Sequence, residues 1–167
     1  MTADTFGFFS WWTYPTVDFA ERLVMSGSKL VMVFGENAFR YGWINRLPII
    51  DVSQTTSSSL FGMCRGCEPL KTIDEIKIRE DGSNSWGSAF ASCKALENIK
   101  ITGVIGNVIS FADSPNLTSA SVDSIIGALK RLTEGESAKT LTLHATVKAN
   151  MTDTQKAIIQ EKGWSLA

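Results

Sequence analysis

The sequence predicts an α/β solenoid of about four to five short coils, closed by a helix-strand-helix-strand C-terminal cap. Three observations predict it. First, an apolar pair recurs in register: Ile44 and Leu47, then Leu70 and Ile73, then Leu96 and Ile99, each step being 26 residues. A further pair, Leu117 and Ala120, follows after 21 residues. Second, each pair opens a strand-like run, and Ile76, Lys77, Ile78 and Arg79 alternate apolar with charged, the period of a half-buried strand. Third, the pattern stops after Ala120, where helical spacing takes over. A repeat in the twenties is too thin to bury its own apolar face, so copies must stack.

The copies can be laid over one another. The runs Leu47–Val52, Ile73–Ile78 and Ile99–Val104 are the strands. Polar turns follow them, from Ser53 to Ser59 and from Glu80 to Ser85, the second with an Asp81-Gly82 turn signal. The chain then returns to the core. Leu60 falls in the slot of Trp86, Cys64 in the slot of Phe90 and Phe111, and Cys67 in the slot of Cys93 and Ser114. Ala38-Phe39 repeats as Ala89-Phe90, and Phe19-Ala20 with Leu30 and Val33 reads as a degenerate earlier copy.

The closing segment has its own signals. Val122, Ile125, Ile126, Leu129 and Leu132 share one helical face, behind Ser119 or Ser121 as N-cap and before Gly135 as stop. Thr140 to His144 reads as a strand. Thr152-Asp-Thr-Gln155 is a capping box opening a helix to Lys162, and Trp164 to Leu166 returns as a strand. The predicted organisation is an aromatic N-terminal segment 1–14, repeats over 15–120 and a capping unit over 121–167.

The unit Phe90-x-x-Cys93-x-x-Leu96-x-x-Ile99 resembles the core of BspA-like leucine-rich repeats. The runs from Ser121 to Leu129, Lys139 to Leu143 and Thr152 to Trp164 resemble the segment that often closes such proteins, which are frequent in gut bacteria and their phages. The resemblance spans roughly residues 15 to 167. It implies a leucine-rich-repeat solenoid used for surface contact or adhesion, with no catalytic residues to carry over. Two departures stand out: the spacing is uneven, and the Cys position is Gly42 in one copy and Ser114 in another.

Composition narrows the functional classes. The 167 residues carry a net charge of −1 and no Lys/Arg run, so nothing recommends nucleic acid. No apolar window reaches the ~18 residues a transmembrane helix needs. The start, Met1-Thr-Ala-Asp4, lacks the basic region of a secretory signal. An extracellular surface or a virion is the expected location, the latter reached from the cytoplasm on lysis.

Cys64-Arg-Gly-Cys67 has the spacing of a thiol-disulfide site, in which a low-pKa thiol attacks and a second resolves. The repeat argues for packing instead, because Cys64 shares its slot with phenylalanines and a buried thiol is inert. Three cysteines and the single His144 do not make a zinc site, and no phosphate-cradling glycine motif is present. No cofactor and no metal are expected.

The expected function is non-enzymatic binding of a protein or glycan. The strand charges Glu75, Lys77, Arg79 and Lys100 form one candidate face. The aromatic run Phe6 to Tyr14, with Trp11, Trp12 and Tyr14, and with Tyr41 and Trp43 beside it, is either a cap over the first coil or a docking patch. The alternatives are a structural segment of a phage tail or larger surface protein, assembled through the N-terminal edge, and a thiol-disulfide protein using Cys64 and Cys67.

Overall fold

The computed structural model describes residues 37–55 and 59–167, together with the backbone of residues 22–26. Seven strands and three helices follow one another there: β1 (Arg22–Ser26), β2 (Arg46–Gln54), β3 (Thr72–Lys77), β4 (Asn98–Thr102), β5 (Ile109–Phe111), α1 (Ser119–Ala128), β6 (Lys139–Leu143), α2 (Ala145–Asn150), α3 (Asp153–Glu161) and β7 (Trp164–Leu166). The aromatic segment 1–14 and the degenerate copy around Phe19, Leu30 and Val33 lie outside the described residues.

The strands form two separate parallel sheets, one of four strands in the order β1-β2-β3-β4 and one of three in the order β5-β6-β7. This corrects the expectation of a leucine-rich-repeat solenoid of four to five coils. Helices are few, and the strands do not run on as one continuous stack. The break has a local cause. The outward N–H groups of β4 go to α1: Ile99 N–H donates to Ser121 Oγ at 3.0 Å and Ile101 N–H to Ser124 Oγ at 2.9 Å. With that edge satisfied by hydroxyls there is no ladder for β5 to join, and β5 pairs with β6 instead.

Within the larger sheet the 26-residue step is the strand register. Leu47 lies opposite Ile73, and Ile73 opposite Ile99. The inward residues Leu47, Ile50, Ile73, Ile76, Ile99 and Ile101 are buried. A bulge interrupts β3, where Ile73 faces Ile99 but Ile76 faces Ile101. Two residues, Asp74 and Glu75, thus stand where β4 has only Lys100.

The turn segments stack as well. Asn37, Phe39 and Tyr41 donate their N–H groups to the carbonyls of Phe61, Met63 and Arg65 at 2.7–2.8 Å. Gly62, Cys64 and Gly66 do the same to Gly87, Ala89 and Ala91. Between strands and turns lies the core, where Trp86, Phe90 and Phe111 stack with centroids 6.0 and 4.6 Å apart.

The fourth apolar pair departs from expectation. Leu117 is buried, but Ala120 is exposed on the first turn of α1. The place beside Ile99 belongs to Ser121, which also donates to Glu97 O at 2.9 Å. Helix α1 is capped by Thr118 and ends before Leu129, so Leu132 is outside it. The chain leaves the helix there to pair with Ile105, whose N–H and C=O bond Ala128 O and Lys130 N. Three other groups pin α1. Gln155 Nε2 donates to Ser119 Oγ and Asp123 Oδ1, Lys162 Nζ takes the carbonyls of Ile126, Gly127 and Leu129, and Trp164 Nε1 donates to Lys130 O just beyond the helix. The capping box at Thr152 and Gln155 forms as the sequence indicates.

Ser121→Ala strands the Ile99 N–H in the core. Urea unfolding is expected to show a loss of about 1–3 kcal/mol, the cost of a buried donor without a partner. A loss below about 0.5 kcal/mol, typical of neutral surface changes, would mean that the hydroxyl does not close the sheet.

Candidate functional site

The outer face of the larger sheet meets α1 in an open groove of about 400 Å³, lined by Thr72, Asp74, Asn98, Lys100, Ala120 and Ser124, with the strand positions of Ile73 and Ile99 between them. The bulge in β3 arranges its charges. Asp74 reaches toward β2, where Arg46 grips it with two bonds of 2.9 and 2.8 Å. Glu75 reaches toward β4, where it takes the Thr102 hydroxyl and the Lys100 ammonium, the latter at 3.1 Å. Burial works to raise the Glu75 carboxyl, but the Thr102 and Lys100 donors outweigh it and hold the pKa below its ordinary value. The two carboxylates therefore tie three strands together across the face.

The four strand charges read from sequence have different fates. Glu75 is almost fully buried and Lys100 is bound to it. Arg79 is committed to the turn beyond β3: it grips Asp81 at 2.7 Å and donates to Thr55 O at 2.7 Å. Asp81 is accordingly held well below the usual carboxylate range, first by Arg79 and then by Ser83. Lys77 is half-buried, and no hydrogen bond or ion pair holds its ammonium among the described residues. Trp43 is exposed but precedes β2 and lines no part of this groove. Trp11, Trp12 and Tyr14 lie outside the described residues.

Arg46, Asp74, Asn98 and Ser124 were not singled out from sequence. For the ion pair a signal existed: Arg46 and Asp74 are 28 residues apart, close to the 26-residue step, with opposite charges. The serines of α1 gave none, because an N-cap reading already accounted for Ser121.

The three cysteines are reduced and buried. Cys67 Sγ donates to Phe39 O at 2.8 Å and Cys93 Sγ to Cys64 O at 3.0 Å, each into the preceding turn. Ser114, in the same slot, donates its hydroxyl to Cys93 O at 3.1 Å. The slot asks for a small donor, which Cys and Ser both supply. Burial pushes the Cys67 thiol up to about 12 and the Cys64 and Cys93 thiols well above their usual value. A thiolate nucleophile requires the opposite shift.

His144 accepts the Thr146 N–H on Nδ1 at 3.2 Å, capping α2. Among the described residues no group of three or more His, Cys, Asp or Glu side chains is placed to hold a metal ion. No helix among them is long and apolar enough to cross a membrane. No family model matches the chain, and neither a curated protein nor a solved structure matches it.

The thiols set a pH dependence. Their folded pKa values lie above the ordinary 9.0, so the stability from keeping them neutral is complete below pH 9.0 and is lost as pH rises toward about 12. Denaturant unfolding is expected to weaken over that window in the native sequence and less in Cys67→Ser, which keeps a donor but cannot ionise there. In the folded state at neutral pH all three thiols should resist an aromatic disulfide reagent, and rapid labelling of Cys64 would contradict the packing reading.

Proposed function

We propose that the protein is a non-enzymatic binding or adhesion module. Its working surface is the groove between the outer sheet face and α1, and it meets a protein or glycan on a cell surface or virion. The observation that carries this reading is the groove's construction. Its volume lies in the range of ligand clefts. Its two charged side chains, Asp74 and Lys100, stand on strands and are held by cross-strand ion pairs. Side chains already ordered before a partner arrives lower the entropy cost of binding. The individual exposed pairs contribute little to stability, about 0–1 kcal/mol each, so their ordering role is the more useful one.

Two further points support the reading. The likeness of the Ala89–Ile99 unit to BspA-like repeats implies surface contact. The buried, hydrogen-bonded thiols weigh against the thiol-disulfide alternative.

A second reading, a structural segment of a phage tail or larger surface protein, is favoured by β1. It is the outer strand of the described four-stranded sheet, and a strand edge can be continued by another chain. A protein that stays monomeric at high concentration, by sedimentation, would count against assembly through that edge.

The binding reading is tested on an immobilised panel of surface proteins and glycans by interferometry. Reversing charge at Lys77 and Lys100 together should weaken any ligand of this face about tenfold or more, a change of about 1.4 kcal/mol. If the doubly reversed protein binds every ligand as the native one does, the sheet face is not the contact surface.

A further inference from the structure

The stacked turns form a second wall of the same core, separate from the groove. Two rings lie on it against glycines of the next turn. A Cβ on Gly66 would stand 2.2 Å from the Tyr41 ring, and one on Gly87 would stand 2.7 Å from the Phe61 ring. Both rings remain partly exposed, at 37% and 43%, and Trp43, two residues beyond Tyr41 in the chain, is exposed at 54%.

Two arginines share this wall. The Arg40 guanidinium sits over the Tyr41 ring, 4.8 Å from its centroid, and donates to the phenol oxygen at 3.3 Å. Its Nε is buried without a hydrogen-bond partner. Arg65 belongs to the next turn, and its carbonyl accepts the Tyr41 N–H at 2.7 Å. The Arg40 hydrogen bond and charge, and to a lesser degree the Arg65 charge, lower the Tyr41 pKa against the opposing effect of burial.

These arginines differ from the others. Arg46, Arg79 and Arg131 each grip a carboxylate at 2.7–2.8 Å. Among the described residues Arg40 and Arg65 meet none, and Glu68, just past this turn, is held by Lys94. The wall therefore offers cationic donors and apolar rings, while the carboxylates on the turns beside it, Glu68 and Asp113, accept from Lys94 and from the Ser92 N–H.

We propose that the wall formed by Arg40, Arg65, Trp43 and Phe61 docks an acidic segment of a partner protein, its carboxylates on the guanidiniums and its apolar side chains on the rings. Charge complementarity selects the carboxylate. The supply of acceptors selects peptide over neutral sugar. Sugar hydroxyls need acceptors as well as donors, and here the carbonyls of Phe61, Met63 and Arg65 are already bonded to the preceding turn. Rings spread over two turns suit a chain that carries its own apolar side chains.

The probes are a fluorescent peptide of alternating Glu and Leu, its Lys–Leu counterpart and a galacturonic acid oligomer, titrated against the full chain by anisotropy. Binding of the acidic peptide below about 1 mM at low salt, weakened as salt rises, is expected. Arg65→Gln should weaken it about threefold or more, and Arg40→Gln with Arg65→Gln about tenfold or more, with Lys156→Gln as a neutral control. Circular dichroism checks that each variant is folded, and Arg65→Gln alone decides the matter should the double variant unfold. No binding of the acidic peptide, equal binding of the basic one, or unchanged affinity in Arg65→Gln overturns the proposal. Arginine-dependent binding of the galacturonate oligomer without the peptide overturns it in favour of an acidic glycan. Each result is independent of Lys77 and Lys100, so failure here leaves the groove reading standing.

Discussion

Two serine hydroxyls decide how the chain is built. Ser121 and Ser124, one turn apart on α1, take the N–H groups that β4 would otherwise offer to a fifth strand. A parallel sheet has no intrinsic end, and its last strand leaves a row of backbone donors and acceptors open. Hydroxyls can close that row at short range because each both accepts and donates; Ser121 does both, to Ile99 N and Glu97 O. The position of α1 then fixes one wall of the groove. The C-terminal elements fix α1 in turn, through the Lys162 ammonium on its last carbonyls and through Gln155 near its start. A cation at a helix C-terminus also complements the helix dipole.

How far this was readable from sequence depends on the interaction concerned. The 26-residue step was legible because buried strand positions demand apolar side chains at each copy, and it reappears as the register of β2, β3 and β4. The slots of Cys67 and Cys93 were legible for the same reason. The termination was not. A serine that caps a strand edge looks in sequence like a serine that caps a helix. Ala120 suggested one more apolar anchor where the structure has an exposed helical residue. The bulge at Asp74 and Glu75 was also hidden, since two adjacent carboxylates read as one charged turn of a strand. Only the structure aims one toward β2 and the other toward β4.

Charge on the sheet face is organised rather than abundant. Of the four strand charges that drew attention, two bind each other and one is absorbed in a turn. Of these four, Lys77 is the one with no ion pair among the described residues, and it stands opposite Thr102 on β4. The thiols show the same economy in the interior. A cysteine in this core is a small group that fills space and donates one bond, and Ser114 performs that task with oxygen.

The turn wall carries a consequence for how such a chain can vary. Asn37, Tyr41, Ser88 and Ser92 adopt the left-handed backbone at the same places where the middle turn has Gly62 and Gly66. Non-glycine residues tolerate that conformation at roughly 1–2 kcal/mol, so backbone strain alone does not demand glycine in the middle turn. The ring of Tyr41 does, because it occupies the space of any side chain at position 66. Phe61 makes the same demand of position 87. Aromatic and glycine are thus sterically coupled across neighbouring turns. A lineage that loses one ring frees the facing glycine to change, and one that gains a ring must first empty the position opposite.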